Sequence, residues 1–107
     1  MVKQLKDMSD FNNELKNAGS KLVVIDFSAT WCGPCRQIGP FYESLPGVYS
    51  DVVFLKVDVD EAEDVAQHCE ISAMPTFVFI RNGKTLDSFS GANAENLKLR
   101  IEKHRTQ

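Results

Sequence analysis

The chain has 107 residues, of which 43% are hydrophobic and 25% are charged, and this length predicts one domain, residues 1–107, that folds without disulfide staples. Its formal net charge of -3 at pH 7 argues against nucleic acid as the main partner. No segment approaches the ~20 apolar residues of a membrane span, and the N-terminal residues lack the apolar core of a signal peptide, so we expect no membrane association.

The first part of the chain alternates between strand and helix patterns. Residues 2–5 predict a short strand, and Asp7 then caps a helix that ends at Gly19. The apolar positions of this helix follow helical spacing and are Met8, Phe11, Leu15 and Ala18. Residues 22–29 are almost continuously apolar, which indicates a central strand buried on both faces. Asp26 in the middle of this strand is the anomaly.

A second helix and another buried strand follow. The helix begins near Pro34, since proline is tolerated in a first helical turn, and Pro40 should kink it. Pro46-Gly47 indicates that the helix ends near Leu45. Residues 52–59 are rich in β-branched side chains and predict a strand. Its period of two puts Val53, Leu55, Val57 and Val59 on one face and Val52, Phe54, Lys56 and Asp58 on the other.

The last part of the chain predicts a helix, a hairpin and a helix. A short acidic helix starts at Asp60 or Glu61, and its apolar positions are Ala62, Val65, Ala66 and Cys69. Asn82-Gly83 separates two strand patterns and favours a type I′ turn. Asn93 can cap a final helix, whose inward positions are Ala94, Leu97, Ile101 and His104. The whole order predicts an α/β fold, with a central mixed five-stranded sheet flanked by four helices.

The motif at residues 31–35, Trp-Cys-Gly-Pro-Cys, points to thiol–disulfide chemistry, because two cysteines two residues apart lie between a strand and a helix. A helix N-terminus stabilises a thiolate, so we expect Cys32 to be the attacking nucleophile. Cys35, one turn into the helix, should be less exposed and act as the resolving thiol. Gly33 and Pro34 form a tight spacer that keeps the two sulfurs within bonding reach.

Two alternative interpretations of the cysteines are a zinc site and a structural disulfide. Zinc would need two more ligands, and the candidates are His68, Cys69 and His104. Adjacent residues on a helix diverge by about 100°, so His68 and Cys69 are poorly placed to bind one metal together. Three cysteines, an odd number, are typical of a reducing interior rather than of a disulfide-stabilised secreted domain. We therefore expect neither a metal site nor a structural disulfide.

Three segments make a family resemblance explicit. Residues 27–36, Met74-Pro75-Thr76 and residues 89–92 resemble the thioredoxin family, most closely its cytosolic animal type, and the resemblance extends from Val2 to the last helix. It implies the thioredoxin fold and a monomeric protein-disulfide reductase that maintains redox homeostasis. It also implies no bound cofactor, with electrons from NADPH supplied through a flavoenzyme thioredoxin reductase. The implied clients include peroxiredoxins and ribonucleotide reductase, and the implied location is the cytoplasm, with the nucleus or non-classical secretion as further possibilities.

The resemblance also assigns roles around the cysteines. Pro75 matches the family's cis-proline beside the sulfurs, and the Met74 backbone matches the segment that pairs with an extended substrate. The implied apolar docking surface consists of Trp31, Gly33, Pro34, Ala73, Met74, Gly91 and Ala92. The alternative for Trp31 is a core aromatic, which its position next to Cys32 disfavours.

Asp26 matches the family's buried acid, which assists proton transfer to and from Cys35. Burial disfavours a charged carboxylate, so we expect a raised pKa for Asp26. Lys56 matches a position from which a side chain can approach this acid and oppose the rise. The alternative is a buried ion pair between Asp26 and Lys56 with no catalytic role.

The chain departs from many animal relatives at two places. Ala73 stands where some have an additional cysteine, which excludes disulfide-linked dimerisation and nitrosation at that position. Pro46-Gly47 interrupts a usually continuous helix, for which we have no functional explanation. Cys69 is interpreted as a buried, inert thiol, with regulatory oxidation as the alternative, and His68 and His104 as solvent-facing or packing residues.

Two rival functions use the same motif. One is a binding module whose redox state gates a partner with little turnover, and reduction of insulin disulfides separates it from a reductase. The other is an oxidase or isomerase of secretory compartments, which would require a signal peptide.

Overall fold

Five strands and four α-helices alternate in the computed structural model, which describes residues 1–106. The strands are β1 (Lys3–Leu5), β2 (Leu22–Ser28), β3 (Val52–Asp58), β4 (Thr76–Arg81) and β5 (Lys84–Ser90). The helices are α1 (Met8–Ala18), α2 (Gly33–Ser44), α3 (Glu63–His68) and α4 (Ala94–Arg105), and a 3-10 turn, Leu45–Gly47, follows α2. The predicted order of elements is confirmed.

The strands form one mixed sheet in the order β1-β3-β2-β4-β5. β3 runs parallel to both β1 and β2, whereas β4 is antiparallel to β2 and β5 is antiparallel to β4. The parallel part comes from the helical crossovers and the antiparallel part from the terminal hairpin, as predicted. Every residue of β2 is buried, which confirms it as the central strand.

Alternate residues of β2 and β3 face two separate cores, one on each side of the sheet. Val23, Ile25 and Phe27 pack in one core with residues of α1 and α3. Leu22 and Val24 pack in the other with residues of α2 and α4. By the same alternation, Asp26 and its β3 neighbour Lys56 lie on the sheet face covered by α2. An acid and a base therefore occupy an otherwise apolar face behind α2.

The predicted helix caps at Asp7 and Asn93 are confirmed. Each side chain accepts a hydrogen bond from the backbone N–H three residues later, at 2.9 Å in both helices. Gly19 ends α1 with a φ of 61°, a conformation that favours glycine. These residues are reliable predictors of helix ends because their hydrogen bonds pair backbone groups that the helix itself leaves unpaired.

The start of α3 is predicted too early. The helix begins at Glu63, because the preceding residues form a turn organised by Asp58. The Asp58 carboxylate accepts a hydrogen bond from the Asp60 N–H at 2.9 Å. The backbone carbonyl of Asp58 accepts hydrogen bonds from the N–H groups of Glu61 and Ala62. The hydrogen bond to the Asp58 side chain takes a backbone donor that a helix would otherwise use, so the first turn of α3 begins later in the chain.

The β4–β5 hairpin and the edge of the sheet also follow the sequence. Asn82 and Gly83 have φ values of 53° and 77°, which confirms the predicted turn with two left-handed residues. β5 shifts register opposite Phe79 and Ile80, which inserts Leu86 as an extra residue.

Asp87 of β5 is bound to α4, with its carboxylate 2.6 Å from Arg100 and 2.9 Å from His104. His104 is therefore a buried packing residue, one of the two roles considered for it.

Tyr42 ties α2 to the centre of the sheet. Its ring is buried, and its hydroxyl oxygen lies 3.0 Å from the Val24 carbonyl on β2 and 2.7 Å from the Leu55 carbonyl on β3. The single O–H donates to one of these carbonyls at a time. The hydroxyl therefore fixes the height of α2 above the two central strands.

Tyr42→Phe should lower the free energy of unfolding by about 1 to 2 kcal/mol, because a buried hydrogen bond is lost with little change in packing. Urea denaturation of the oxidised wild type and variant measures this change in the free energy of unfolding. Ser44→Ala is the matched control, since it removes an exposed hydroxyl on α2 that donates to the Phe41 carbonyl. A Tyr42→Phe loss no larger than that of Ser44→Ala would contradict the buried anchor.

Candidate functional site

The redox pair lies where the central strand β2 passes into α2. Cys32 is the N-cap residue of α2, with extended backbone, and Pro34 lies in the first turn as predicted. Cys32 and Cys35 are joined by a disulfide with a Cα–Cα distance of 5.3 Å. The Cys35 N–H donates a hydrogen bond to the Cys32 sulfur at 3.2 Å. After reduction, this donor and the helix dipole would both favour negative charge on Cys32.

Both cysteines are buried in the disulfide form. Cys32 is 5% exposed and Cys35 is 7% exposed, so the expectation that Cys35 is the less exposed residue is wrong for this state. The reason is that the short bridge holds both sulfurs under the same loop, packed with Ala29 and Met74. What distinguishes the cysteines is their surroundings, because Cys32 faces Met74 and Cys35 faces a cavity.

The loop before β4 meets the disulfide from the other side. The Met74–Pro75 peptide bond is cis, and the Cys32 sulfur lies 3.8 Å from the Met74 carbonyl oxygen. The Gly91 N–H donates to the Pro75 carbonyl at 2.9 Å, which brings the end of β5 to the same place. Three segments distant in sequence thus converge on Cys32.

The surface around the disulfide is exposed and largely uncharged. Trp31 is 64% exposed and its indole N–H donates to the Asp60 carboxylate at 2.8 Å, which excludes the core-aromatic alternative. Asp60 was not predicted from the sequence, and no local pattern links two residues 29 positions apart. Met74 is half-buried, and the other exposed residues predicted for this surface are Gly33, Pro34, Ala73, Gly91 and Ala92.

Asp26 is buried behind the disulfide at 2% exposure. Its Oδ1 atom has no hydrogen-bond partner among residues 1–106. Burial raises the pKa of Asp26 to about 7, against the lowering effect of the Lys56 ammonium and with a further upward contribution from Glu43. The pKa of Asp26 is thus raised, as expected from its burial. Lys56 is the β3 register partner of Asp26, but within the described residues the two form no ion pair.

A cavity of about 540 Å³ separates α2 from the ends of β1, β2 and β3. Its lining includes Cys35, Lys56 and Glu43, so one of the two disulfide cysteines shares this space with charged side chains. Cys35, Gly39 and Glu43 are four residues apart and fall on one face of α2. That spacing is the sequence signal by which Glu43, which was not predicted, could have been found.

Comparison with known proteins identifies the family. A sequence model described as Thioredoxin matches residues 2–103. The thioredoxin of Gallus gallus is 57% identical over 102 residues, which cover 95% of this chain and 97% of that protein. The thioredoxin of Homo sapiens is 54% identical over 101 residues, covering 94% and 96%. This chain belongs to the thioredoxin family.

Solved structures agree with the predicted thioredoxin fold. Fasciola hepatica thioredoxin superimposes with a TM-score of 0.94 at 44% identity, covering 95% of this chain and 98% of that chain. A structure on the thiol-resolving mechanism of yeast mitochondrial 1-Cys peroxiredoxin contains a chain with a TM-score of 0.88 and 40% identity, covering 95% and 94%. Membership of the thioredoxin family, together with the Cys32–Cys35 disulfide, shows that the chain is a thiol–disulfide oxidoreductase, as predicted.

The remaining candidates for other chemistry lie apart from this thioredoxin site. Cys69 is a half-buried free thiol on the far side of the sheet, and burial raises its pKa to about 11, which makes it a poor nucleophile at neutral pH. His68 is exposed and packs edge-on against Phe11. Among residues 1–106, no three His, Cys, Asp or Glu side chains are grouped to hold a metal ion. None of the helices in that range is long and apolar enough to span a bilayer.

The raised pKa of Asp26 predicts a pH-dependent stability. The folded pKa of about 7 exceeds the unfolded value of about 3.9. Stability from the neutral carboxyl is therefore complete below pH 4 and is lost as the pH rises to 7, by on the order of 4 kcal/mol. Asp26→Asn cannot ionise, so the oxidised variant should gain stability relative to the wild type across this window and hold that gain above it.

Urea denaturation at intervals from pH 4 to 8.5 measures the difference. A difference between Asp26→Asn and the wild type that stays constant with pH would contradict the assignment. Asp60→Asn serves as the control for a surface carboxylate and should show no comparable trend.

Proposed function

We propose that this protein reduces disulfides of other proteins with Cys32 as the attacking nucleophile and Cys35 as the resolving thiol. The observation that carries the assignment is the environment of the Cys32 sulfur, which caps α2, accepts the Cys35 N–H and faces the exposed loop at Met74. A sulfur so placed is favoured as a thiolate and lies on the side from which a client can approach.

The reaction proceeds in two exchanges. The Cys32 thiolate attacks one sulfur of the client disulfide, the client S–S bond breaks, and its other sulfur leaves as a thiolate that takes up a proton. Asp26, whose ionised form is favoured by Lys56, then accepts the proton of Cys35, and the Cys35 thiolate attacks the Cys32 sulfur of the mixed disulfide. The bond between Cys32 and the client breaks, and the second client sulfur leaves as a thiolate that takes up the proton held by Asp26. The client thus gains two electrons and two protons while the Cys32–Cys35 disulfide forms.

Client docking is proposed for the uncharged surface around Cys32. Trp31 supports it, because a large exposed ring held by a hydrogen bond offers apolar contact at little entropic cost. The backbone at Met74 is proposed to pair with an extended client segment, since Pro75 has no N–H to offer there. Gly33 and Pro34 keep the loop tight, and the remaining members of the surface are Ala73, Gly91 and Ala92.

The electron donor and the clients follow from the family rather than from this chain alone. We propose that a flavoenzyme thioredoxin reductase restores the dithiol with electrons from NADPH, and that this protein binds no cofactor itself. Peroxiredoxins and ribonucleotide reductase are the proposed clients, and the yeast structure concerned with a 1-Cys peroxiredoxin supports the first. We place the protein as a monomer in the cytoplasm, where cysteines stay reduced between turnovers.

The wild-type protein should accelerate the reduction of insulin disulfides by dithiothreitol, and Cys32→Ser should remove the acceleration because the nucleophile is lost. Turbidity of the precipitating insulin B chain measures the rate. Cys69→Ser is the control and should retain the wild-type rate, since that thiol is remote from the site. No acceleration by the wild type would favour a redox-gated binding module with little turnover.

The order of the two thiols is tested by trapping. Cys35→Ser should accumulate a mixed disulfide with an oxidised client, because the attack by Cys32 still occurs but resolution does not. Cys32→Ser should form far less of it. Non-reducing electrophoresis with a peroxiredoxin disulfide as client measures the adduct, and a stronger adduct with Cys32→Ser would reverse the assignment.

A further inference from the structure

Five charged side chains line the cavity behind Cys35, and two of these side chains form no hydrogen bond or ion pair among residues 1–106. The five are Arg36, Glu43, Lys56, Asp58 and Glu61. Three form hydrogen bonds, Arg36 with Thr30, Asp58 with Asp60 and Glu61 with Gln4. Among residues 1–106, no ion pair or side-chain hydrogen bond involves Glu43 or Lys56. Their charges therefore act on the cavity without being neutralised by a direct contact.

Lys56 reaches the cavity from β3. It is half-buried and lies opposite Asp26 in the parallel register of β2 and β3, on the same face of the sheet. Its ammonium group stabilises the ionised form of the Asp26 carboxyl. A partly buried charge is screened less by salt than an exposed one.

Glu43 reaches the same cavity from α2. The preceding residue, Tyr42, is fixed by its hydroxyl to the carbonyls of β2 and β3, so the position of Glu43 relative to the sheet is set. Glu43 is exposed to solvent on one side and lines the cavity on the other. Its carboxylate disfavours a second negative charge on Asp26, the effect opposite to that of Lys56.

We propose that Glu43 is a positioning residue for the disulfide exchange, because it and Lys56 form a pair of opposed charges that set the protonation of Asp26. The proposal deepens the proposed function and rests on it, since Asp26 is taken there as the proton acceptor for Cys35. With only Lys56 present, Asp26 would hold its proton less readily. With only Glu43 present, it would release the proton less readily.

The other groups around Asp26 do not provide this balance. From α2, Cys35 is the proton donor, and Tyr42 stays neutral because burial raises its pKa well above the ordinary value. From β4, the register partner of Asp26 is the uncharged Phe77. Glu43 and Lys56 are therefore the two charged side chains that act on this carboxyl.

The midpoint of the Asp26 titration tests the proposal, measured by the carboxyl carbon resonance in the oxidised full-length protein. Glu43→Gln should lower the midpoint by a few tenths of a pH unit and Lys56→Gln should raise it. Glu43→Asp, which keeps the negative charge, should leave the Asp26 midpoint close to that of the wild type. Glu61→Gln is the matched control, since it removes an equal charge from the same cavity wall. An unchanged or raised midpoint in Glu43→Gln, or an equal shift in Glu61→Gln, overturns the proposal.

Two further readouts separate the electrostatic effect from its use in the reaction. The Glu43→Gln shift should shrink in high salt more than the Lys56→Gln shift, since Glu43 is the more exposed. In the insulin assay, the acidic limb of the pH profile should move with each Asp26 midpoint, and a shifted midpoint with an unmoved profile overturns the positioning role. Failure of the wild type itself to reduce insulin is a separate result, which removes the proposed function while the titration still reports on Glu43.

Discussion

Complete burial of β2 is the constraint on which the rest of the structure depends. The strand is packed on both faces by separate cores and paired on both edges by β3 and β4, so it has no freedom to shift. The redox pair follows directly where this strand enters α2, and Tyr42 ties that helix back to the strand. The geometry of two small sulfur atoms is thus set by the most rigid part of the protein.

The junction of β2 and α2 imposes opposite electrostatic conditions on two groups close in the chain. At the start of α2, unpaired backbone N–H groups favour a negative charge on Cys32. Six residues earlier, the interior of the sheet disfavours a negative charge on Asp26 and raises its pKa. After reduction, the first environment would favour a thiolate at Cys32, whereas the second favours a neutral carboxyl at Asp26.

Sequence reasoning succeeded wherever a local pattern decides the structure. The apolar run of β2, the N-cap position of Cys32 and the turn at Asn82-Gly83 each depend on neighbouring residues, and all were predicted. It failed where distant or competing contacts decide. The Asp58 side chain delays α3, and the Trp31–Asp60 hydrogen bond joins residues that no periodicity relates. The expected difference in cysteine exposure is wrong because the closed disulfide holds both residues in buried positions. The roles of individual residues around the site stay predictions until they are measured.

The two edges of the sheet differ from the active-site loop in what they offer another polypeptide. β1 is only three residues long, and β5 carries an extra residue at Leu86 and is bound to α4 through Asp87. Short and bulged edges are poor templates for adding a strand from another molecule. The loop at Met74, rather than either edge, is therefore where we propose that another polypeptide pairs. The sheet is in this way protected from edge-to-edge polymerisation with other copies of the chain.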